Sequence, residues 1–285
     1  MSLAPIDPAV LSSLAETAGS LARSVGGVVR SLRDAGVDVA ATKSSAVDVV
    51  TAADREAERL LAEGLAALRP DDGVLGEEGA SVAGSSGITW VVDPIDGTVN
   101  YLYQLPAYAV SVAATIADDS PADARAGNTE DGRRAVAGAV YLPVTDELFT
   151  AFEGGGARLN GAALAGPAET GLGTALVATG FGYTVERRTE QAEVVRRLIP
   201  QVRDIRRMGS AATDLCLLAA GRLDAYYERG LQPWDYAAGA LIARESGALL
   251  LGREGALPGE SMLIAAAPAL ARELLAEIEA AYAEL

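Results

Sequence analysis

The stretch WVVDPIDGTVNY, Trp90–Tyr101, joins an apolar strand to a turn that carries two carboxylates. Asp93 and Asp96 lie three residues apart on either side of Pro94, and a glycine follows directly. Proline fixes φ, so the turn is stiff and the carbonyl group of Ile95 can be aimed at a ligand. Two carboxylates in one tight turn repel each other unless a positive charge lies between them. The stretch therefore predicts a cation-binding turn at the end of a strand.

The composition narrows the chemistry in which this turn can take part. The 285 residues include no histidine, a single cysteine, Cys216, and a single lysine, Lys43. The absence of histidine excludes a Ser-His-Asp triad, a histidine general base and histidine metal ligands, and one cysteine cannot form a thiolate zinc site. Any bound metal must therefore have oxygen ligands, which select hard cations such as Mg²⁺, Mn²⁺ or Ca²⁺.

The charge balance argues against several classes of partner. Acidic residues outnumber basic residues by 39 to 23, and the resulting net charge of −16 repels nucleic acids and anionic lipids. No apolar run reaches the length of about eighteen residues that a membrane helix needs. The N-terminal residues do not match a secretory signal, and a single cysteine fits a reducing compartment. We therefore expect a cytoplasmic protein without a nucleic-acid or membrane partner.

Hydrophobic periodicity predicts a mixture of helices and strands. Leu11–Leu32 carry an apolar stripe typical of one long helix, and a second helix begins after Thr51, with Asp54 at the capping-box position. Residues 118–134 are polar and predict an exposed loop, whereas the glycines at 154–156 predict a hairpin turn. In the second half of the chain, predicted strands alternate with helices, a pattern typical of sheets covered by helix layers.

Three acidic segments adjoin apolar elements, where a fold can bring them together. Glu77 and Glu78 follow one predicted strand, Asp93 and Asp96 follow another, and Asp235 begins an apolar helix. Each segment alone is compatible with a solvated turn or with a charge that complements a helix dipole. Together they would repel one another, and no histidine or lysine lies nearby in the sequence to neutralise them. The set therefore predicts a site for divalent cations.

The residues that follow Asp96 have the features of a phosphate site. Gly97 lets the backbone approach a ligand closely, and Thr98 offers both a hydroxyl and an N–H group. Exposed N–H groups beside bound cations form a site for phosphate oxygens. We therefore expect the cations and this turn to bind a phosphate group together.

These segments resemble the motifs of the inositol monophosphatase family, in the family's order and at similar spacing. GEE, WVVDPIDGTVNY and WDYAAGALIARESGA match its three main motifs, and DVVTAADREAE (48–58) resembles its N-terminal motif. KSS at Lys43 resembles the segment before that motif, and RRMGSAATDLCLLAAGRLDAYYE (206–228) resembles its substrate-side segment. The resemblance covers nearly the whole chain and is closest to the bacterial inositol-1-monophosphatase branch.

The resemblance implies a fold, a cofactor and an assembly. The fold is α/β, with the α-β-α-β-α layers of the inositol monophosphatase and fructose-1,6-bisphosphatase type. One catalytic domain would span 1–285, with most metal ligands in about 1–145, and with Asp235 and the substrate side in about 146–285. The resemblance further implies a homodimer and Mg²⁺-dependent hydrolysis of a phosphate monoester, with Mn²⁺ as a substitute metal.

The resemblance also implies the ligands of the metal ions. Glu77, Asp93 and the carbonyl group of Ile95 would hold the first metal. Asp93, Asp96 and Asp235 would hold a second metal, and Glu77 would help to hold a weaker third. Li⁺ is expected to inhibit by displacing a weakly held metal.

The same resemblance implies which residues act on water and substrate. Thr98, hydrogen-bonded to Asp54, would orient the attacking water, and either Glu77 or Thr98 with Asp54 would take its proton. Lys43 is either a surface lysine or a group that steers phosphate toward the site. The residues expected to contact the substrate are Asp96, Gly97, Thr98, Gly209, Ser210, Ala211, Glu228 and Asp235.

The identity of the substrate depends on the segment AYYE, which ends at Glu228. A carboxylate there suits a polyol hydroxyl, which favours myo-inositol 1-phosphate, hydrolysed by metal-activated water to inositol and inorganic phosphate. Histidinol phosphate, fructose 1,6-bisphosphate and 3′-phosphoadenosine compounds are the alternative substrates within the family.

Two other classes of protein fit the sequence less well. A phosphatase of the haloacid-dehalogenase type uses a D-x-D pair and a lysine, whereas Asp93 and Asp96 are three residues apart and Lys43 precedes them. A metal-binding regulatory protein without turnover is the second alternative, although every presumed metal ligand of an active enzyme is present. Release of phosphate in the presence of Mg²⁺ discriminates the enzyme from this second class.

Overall fold

Three sheets form the framework of the part of the chain that the structure describes. The structure is a computed structural model and describes residues 6–36, 39–42, 49–118 and 127–285. The first two strands, β1 (Val39–Thr42) and β2 (Val49–Thr51), pair as an antiparallel ribbon. The next eight form one sheet: β3 (Gly73–Gly76), β4 (Ser81–Val82), β5 (Ile88–Asp96), β6 (Ala109–Ala117), β7 (Arg133–Leu142), β8 (Glu147–Phe152), β9 (Gly156–Leu159) and β10 (Ala162–Ala163). The last five form another: β11 (Leu176–Thr179), β12 (Asp204–Arg206), β13 (Ala225–Glu228), β14 (Leu249–Leu251) and β15 (Leu263–Ala266).

The helices begin at residues that suit helix N-termini. Asp7 caps the first helix, and Thr51 and Asp54 form the predicted capping box of the second. Prolines Pro233 and Pro268 occupy first helical positions, where a missing N–H group costs no hydrogen bond. The helices are α1 (Pro8–Ala35), α2 (Ala52–Leu68), α3 (Thr98–Leu102), α4 (Val185–Leu198), α5 (Ala211–Ala219), α6 (Pro233–Glu245) and α7 (Pro268–Ala283). None of these helices combines the length and the hydropathy that crossing a membrane would need.

The eight-stranded sheet lies between two helix layers. Side chains on β5 alternate between its faces, as expected of a strand that is covered on both sides. Trp90 and Val92 pack with Leu61 of α2 and with residues of α1, whereas Val91 packs with Cys216 of α5 and with residues of α6. Cys216 is fully buried there, so its side chain fills part of the core.

The five-stranded sheet completes the layered arrangement. Tyr226 of β13 packs with Leu215 of α5, so the α5 and α6 layer lies between the two sheets. The next residue, Tyr227, points to the other face and packs with Leu274 of α7 and with residues of α4. The layer order is therefore α1 and α2, first sheet, α5 and α6, second sheet, α4 and α7. This order confirms the predicted α-β-α-β-α fold.

Strand β5 carries an irregularity that aims its last residues. Asp93 lies opposite Ser111 of β6 and Asp96 lies opposite Ala109, so β5 has one residue more than β6 over this span. Pro94 has no N–H group to donate to a neighbouring strand, and prolines inside sheets are found at such bulges. The chain then turns at Gly97, whose φ of +99° favours glycine. Both aspartates are thereby held at one end of the strand.

The loop predicted over 118–134 needs a correction, whereas the hairpin turn at 154–156 is confirmed between β8 and β9. Residues 119–126 lie outside the described residues. Asp118 and Asn128 are buried rather than exposed, and β7 begins before the predicted loop ends. The physical reason is Arg134, whose Nε donates to the Asp118 carboxylate at 2.8 Å, which ties both ends of the segment to the sheet.

Two neighbouring glycines of α1 meet different surroundings. A Cβ placed on Gly26 would lie 2.8 Å from Cε1 of Tyr141, whereas a Cβ on Gly27 would meet nothing within 4 Å. The Tyr141 ring is held in place, because its hydroxyl donates to Asp146 at 2.9 Å and the Arg23 guanidinium lies 5.1 Å from its centroid. Gly26 therefore permits the close packing of α1 on β7.

Gly26→Ala is expected to lower the free energy of unfolding by about 1–3 kcal/mol, because the added methyl group overpacks the contact with Tyr141. Gly27→Ala is the matched control and is expected to raise it by about 0.5–1 kcal/mol, because alanine favours a helix over glycine. Denaturant-induced unfolding of both variants measures the difference. If both substitutions raised the free energy of unfolding, the ring of Tyr141 would have to move aside for the added methyl group, contrary to this expectation.

Candidate active site

A cleft of about 970 Å³ collects the ends of elements from both sheets. Most of the predicted site residues line it, although they come from segments far apart in the chain. Asp54 lies behind the cleft wall, and Lys43 lies outside the described residues. The predicted residues that line the cleft are Glu77, Asp93, Ile95, Asp96, Gly97, Thr98, Gly209, Ser210, Ala211, Glu228 and Asp235.

Three carboxylates converge at one end of this cleft. Asp93 and Asp96 come from the end of β5, and Asp235 comes from the first turn of α6. Each offers an oxygen that lies within 4.8 Å of the others. The carboxyl group of Glu77, which follows β3, is hydrogen-bonded to that of Asp93. The structure therefore brings together all four acidic side chains that were predicted to hold metals.

Burial and mutual repulsion raise the free energy of the charged forms of these carboxylates. Burial, and then the charges of Glu77, Asp96 and Asp235, raise the pKa of Asp93 well above its ordinary value. Burial and the neighbouring carboxylates raise the pKa of Asp235 in the same way. Burial raises the pKa of Asp96 to about 6, although hydrogen bonds and the Arg207 guanidinium oppose the shift. Bound cations would remove this repulsion, so the oxygen donor set fits hard divalent metals.

Asp96 is fixed by the N-terminal residues of α5. Its Oδ2 accepts a hydrogen bond of 2.7 Å from the Ser210 hydroxyl and one of 2.6 Å from the Ala212 N–H group. The same Ser210 hydroxyl also lies 2.7 Å from the Thr213 hydroxyl. The predicted contact of Ser210 with the substrate stays a prediction, and what the structure shows is that its hydroxyl holds the Asp96 carboxylate in position.

The predicted contact between Thr98 and Asp54 is present. The Thr98 hydroxyl lies 3.1 Å from Asp54 Oδ1 and 3.1 Å from the Ile95 carbonyl oxygen, so its proton can be donated to either. Asp54 Oδ2 accepts from the N–H group of Thr51 at 2.8 Å and from the Thr51 hydroxyl at 2.5 Å. Burial raises the pKa of Asp54, despite these hydrogen bonds. A fixed carboxylate thus lies directly behind the Thr98 hydroxyl.

Glu58 of α2 clamps the turn that carries Glu77. Glu58 was not among the residues predicted to belong to the site. Its Oε2 accepts from the N–H group of Glu78 at 2.7 Å, and its Oε1 accepts from that of Ala80 at 2.8 Å. Gly76 packs so closely on this carboxylate that a side chain there would collide with it. The available signal was a carboxylate four residues after Asp54, on the same face of a helix.

Glu228 lies at the other side of the cleft, at the end of β13. The Tyr226 hydroxyl donates to its Oε2 at 2.8 Å, and Gly180 leaves the space that the carboxylate fills. Burial raises the pKa of Glu228 to about 7, although Tyr226 and Arg207 lower it. Asp214, a buried carboxyl group nearby that was not predicted, has a pKa well above its ordinary value because of burial and of Glu228.

Comparisons with known proteins agree with this geometry. A family model described as the inositol monophosphatase family matches residues 10–283. An inositol-1-monophosphatase of Mycobacterium leprae is 45% identical over 293 aligned positions, which cover 96% of this chain and 94% of that protein. A protein of Pasteurella multocida named Nus factor SuhB is 37% identical, with 90% of this chain and 92% of that protein covered.

A solved structure supports the same relationship. The crystal structure of the extragenic suppressor protein SuhB from Bartonella henselae matches with a TM-score of 0.82 and 32% identity, covering 93% of this chain and 97% of that chain. The match over almost all of the sequence, together with the shared fold and the gathered carboxylates, places the chain in a family of phosphoric monoester hydrolases. The chain belongs to the inositol monophosphatase family.

Proposed function

We propose that the protein hydrolyses myo-inositol 1-phosphate, or a closely similar polyol phosphate, to the free polyol and inorganic phosphate, with Mg²⁺ as its cofactor. The observation that carries the proposal is the convergence of Asp93, Asp96 and Asp235 within 4.8 Å, in a cleft that also contains Glu228. Relatives named inositol-1-monophosphatase, 45–47% identical to this chain, support the choice of substrate.

The metal ligands in this proposal are carboxylates and one backbone carbonyl group that the fold already holds in place. Glu77, Asp93 and the Ile95 carbonyl group would hold one metal, Asp93, Asp96 and Asp235 a second, and Glu77 would help with a weaker third. The chemistry that Mg²⁺ supplies when bound is charge neutralisation at the phosphate and a more acidic water molecule. Mn²⁺, which prefers the same oxygen ligands, would serve as a substitute.

The residues around Thr98 would orient the attacking water and receive its proton. Because Asp54 Oδ2 is occupied by Thr51, Asp54 Oδ1 is the oxygen that accepts from the Thr98 hydroxyl. Thr98 can then accept a hydrogen bond from water while donating its own proton to Asp54, which forms a relay. Either this relay or the Glu77 carboxylate would take the proton. Phosphoryl transfer needs mainly such positioning and charge stabilisation, so no histidine or cysteine is required.

The remaining cleft residues would position the substrate. The phosphate would lie against Gly97, Thr98 and the segment 209–211, beside Asp96 and Asp235. Glu228, held by Tyr226, would accept hydrogen bonds from polyol hydroxyl groups. Lys43, outside the described residues, would steer the phosphate toward the cleft.

The proposal includes three properties of the protein as a whole. It acts as one catalytic domain, which the family match over residues 10–283 supports. It forms a homodimer and works in the cytoplasm, where its single cysteine stays reduced. Li⁺ inhibits it by displacing the weakly held metal.

Asp93→Asn is expected to lower the rate of phosphate release by more than about a hundredfold while the fold is retained, because Asp93 would bridge the metals. The measurement is a phosphate-release assay on myo-inositol 1-phosphate, fructose 1,6-bisphosphate, histidinol phosphate and 3′-phosphoadenosine 5′-phosphate, with and without Mg²⁺. Asp71→Asn, on an exposed residue, is the control. A near-normal rate in the Asp93 variant would refute the ligand assignment, and no release from any ester would favour a metal-binding protein without turnover.

Glu58→Gln is expected to raise the Mg²⁺ concentration for half-maximal activity about tenfold, with a smaller effect on kcat at saturating Mg²⁺. The amide keeps one acceptor but turns an N–H donor toward the Glu78 or Ala80 N–H group, so the turn that carries Glu77 shifts. Glu56→Gln is the control, because Glu56 lies on the same helix and pairs with Arg59 at the surface. A variant that is less stable but has an unchanged Mg²⁺ requirement would contradict the clamp.

The carboxylate cluster also predicts how stability depends on pH. A carboxyl group whose pKa is raised by folding binds its proton more tightly in the folded state, so its contribution is present at low pH and is lost as the pH rises through the raised pKa. The pKa of Asp96, about 6, places part of this loss near neutral pH. The melting temperature of the metal-free protein should therefore fall from about pH 5.5 to about pH 7.5, and Mg²⁺ should restore more of it at the higher pH. Asp93→Asn should flatten both trends, and a metal-free melting temperature that rises over this range would contradict the interpretation.

A further inference from the structure

Helix α4 buries one polar side chain on a face that is otherwise aliphatic. Its buried residues are Gln191, Val194 and Leu198, which lie three and four positions apart and so share one face of the helix. Val194 and Leu198 pack with residues of α7, whereas Gln191, only 6% exposed, brings an amide group to this face. A buried amide raises the free energy of the folded state unless its polar groups are hydrogen-bonded. The partners of Gln191 therefore indicate what the amide does.

The Gln191 amide joins two segments of the cleft wall. Its Oε1 accepts a hydrogen bond of 2.8 Å from the Gly182 N–H group, and its Nε2 donates one of 3.1 Å to the Arg229 carbonyl oxygen. Gly182 lies between β11 and α4, Arg229 directly follows β13, and both residues line the cleft. Only one orientation of the amide satisfies both partners, because one is a donor and the other is an acceptor. We call this pair of hydrogen bonds the Gln191 bridge.

The Gln191 bridge lies beyond the point where the sheet holds the two segments together. Strands β11 and β13 are parallel neighbours, and the last residue pair of their register is Thr179 with Tyr227. Backbone groups that leave a sheet need other hydrogen-bond partners, and the amide supplies one to Gly182 and one to Arg229. The bridge therefore fixes the spacing of the two segments where their own ladder has ended.

Glu228 lies between these two segments. It directly precedes Arg229, and its carboxylate fills the space that Gly180 leaves, two residues before Gly182. The Tyr226 hydroxyl holds one carboxylate oxygen at 2.8 Å, but the backbone on both sides of the carboxylate belongs to the bridged segments. A change in their spacing would therefore move the carboxylate that we assign to the polyol.

Two arginines of the cleft wall also connect these segments to α4. The arginines that line the cleft are Arg187, Arg188, Arg207 and Arg229. Arg188 donates to the Gly182 carbonyl group at 2.8 Å, and Arg229 forms an ion pair with Glu190. Each of these contacts joins α4 to one segment only, and exposed ion pairs are weak and screened by salt. The buried amide of Gln191, in contrast, joins both segments through one group.

The groups proposed to hold metal and phosphate have other supports. Asp235 accepts from the N–H group of Gln232 at 2.7 Å, and Leu231, buried in the core, anchors the chain just before that residue. Asp96 is held by the Ser210 hydroxyl at 2.7 Å, at the start of α5. Loss of the Gln191 bridge should therefore change the leaving-group side of the cleft and leave the metal side in place.

We propose that Gln191 is a positioning residue for Glu228, and that it determines the selectivity for polyol leaving groups without touching the substrate. This inference rests on the proposed function and adds a residue to it. With the bridge intact, the Glu228 carboxylate faces a hydroxyl group of the ester. Without the bridge, the segments around Gly182 and Arg229 separate and this hydrogen bond weakens.

The test compares two esters with the same ring, myo-inositol 1-phosphate and cyclohexyl phosphate, which lacks the hydroxyl groups. Gln191→Met should lower kcat/KM for the inositol ester about tenfold, mainly through KM, because hydrogen bonds to charged groups have effects of that size. It should change kcat/KM for the cyclohexyl ester by less than about twofold, because this ester has no hydroxyl group to lose. Methionine resembles glutamine in length and helix propensity, so the fold is retained. Gln191→Leu removes the same two hydrogen bonds and should give the same result.

The control is Gln201→Met, which removes an exposed amide that donates to the Arg197 carbonyl group just beyond the far end of α4. It should leave kcat/KM unchanged for both esters. Inorganic phosphate, used as a competitive inhibitor, should bind the native protein and Gln191→Met with the same Ki. Equal losses for both esters, together with weaker inhibition by phosphate, would show a general loosening of the cleft and would overturn the proposal.

A double-mutant cycle tests whether the effect passes through Glu228. Glu228→Ala should itself lower kcat/KM for the inositol ester, and adding Gln191→Met to it should change this value by less than about twofold. Residues that act through one interaction are not additive, whereas independent residues are. Additive losses in the double variant would therefore contradict a role in positioning Glu228.

The inference and the proposed function can fail separately. If neither ester is hydrolysed, binding is measured as the rise in melting temperature that each ester causes in the presence of Mg²⁺. A larger rise with the inositol ester that disappears in Gln191→Met would refute the proposed function and support the positioning role. Hydrolysis of both esters with equal losses in Gln191→Met would support the function and refute the positioning role. Neither hydrolysis nor a difference in binding would refute both.

Discussion

The repulsion among buried carboxylates is the constraint on which the rest of the site depends. Asp93, Asp96 and Asp235 would separate if their positions were free, but each is fixed by its own local partner. Asp93 accepts from the N–H group of Ile95 at 2.9 Å, and Asp235 accepts from that of Gln232 at 2.7 Å. Backbone N–H donors hold these oxygens without adding a formal positive charge, so the carboxylates still need cations to neutralise them. The site is thus preorganised for metal, and metal binding does not have to bring the ligands together.

The five-layer fold is the means by which these groups meet. The helix layer of α5 and α6 packs against both sheets, and the first turns of these helices face the end of β5. One sheet supplies Asp93 and Asp96, whereas the other supplies Glu228, and α6 supplies Asp235 between them. Neither half of the chain contains the whole set, so the packing of the shared helix layer fixes the distance between the carboxylates proposed to hold metal and Glu228, which is proposed to contact the substrate. Rigid elements, rather than long loops, position the carboxylates.

Features that depend on neighbouring residues were predictable from the sequence, whereas features that depend on distant pairing were not. The capping box of Thr51, the stiff turn at Pro94 and the element types follow from local chemistry, and the family motifs indicated which carboxylates converge. The clamp by Glu58 joins residues 20 and 22 positions apart, and the contact of Ser210 with Asp96 spans 114 positions. The spacing of Glu58 from Asp54 was a local signal for Glu58 itself, but no local pattern encodes the distant partners of Glu58 or Ser210. The burial of Asn128, which lies in a polar segment, could likewise not be predicted from the sequence, because it depends on the sheet beside it.

The charges of the cleft also imply an order of events in the proposed reaction. Without cations, the carboxylates beside Asp93 give this end of the cleft a strongly negative potential, and the net charge of −16 adds to it. A phosphate ester is repelled under these conditions, whatever the arginines contribute. In the proposed reaction, divalent cations would neutralise the carboxylates. The guanidinium groups of Arg187 and Arg207, which have no hydrogen-bond or ion-pair partner among the described residues, would then make the potential of the cleft positive and attractive to anions. The proposed function therefore implies that metal binding would precede substrate binding, because the arginines would attract a phosphate ester only after cations neutralise the carboxylates.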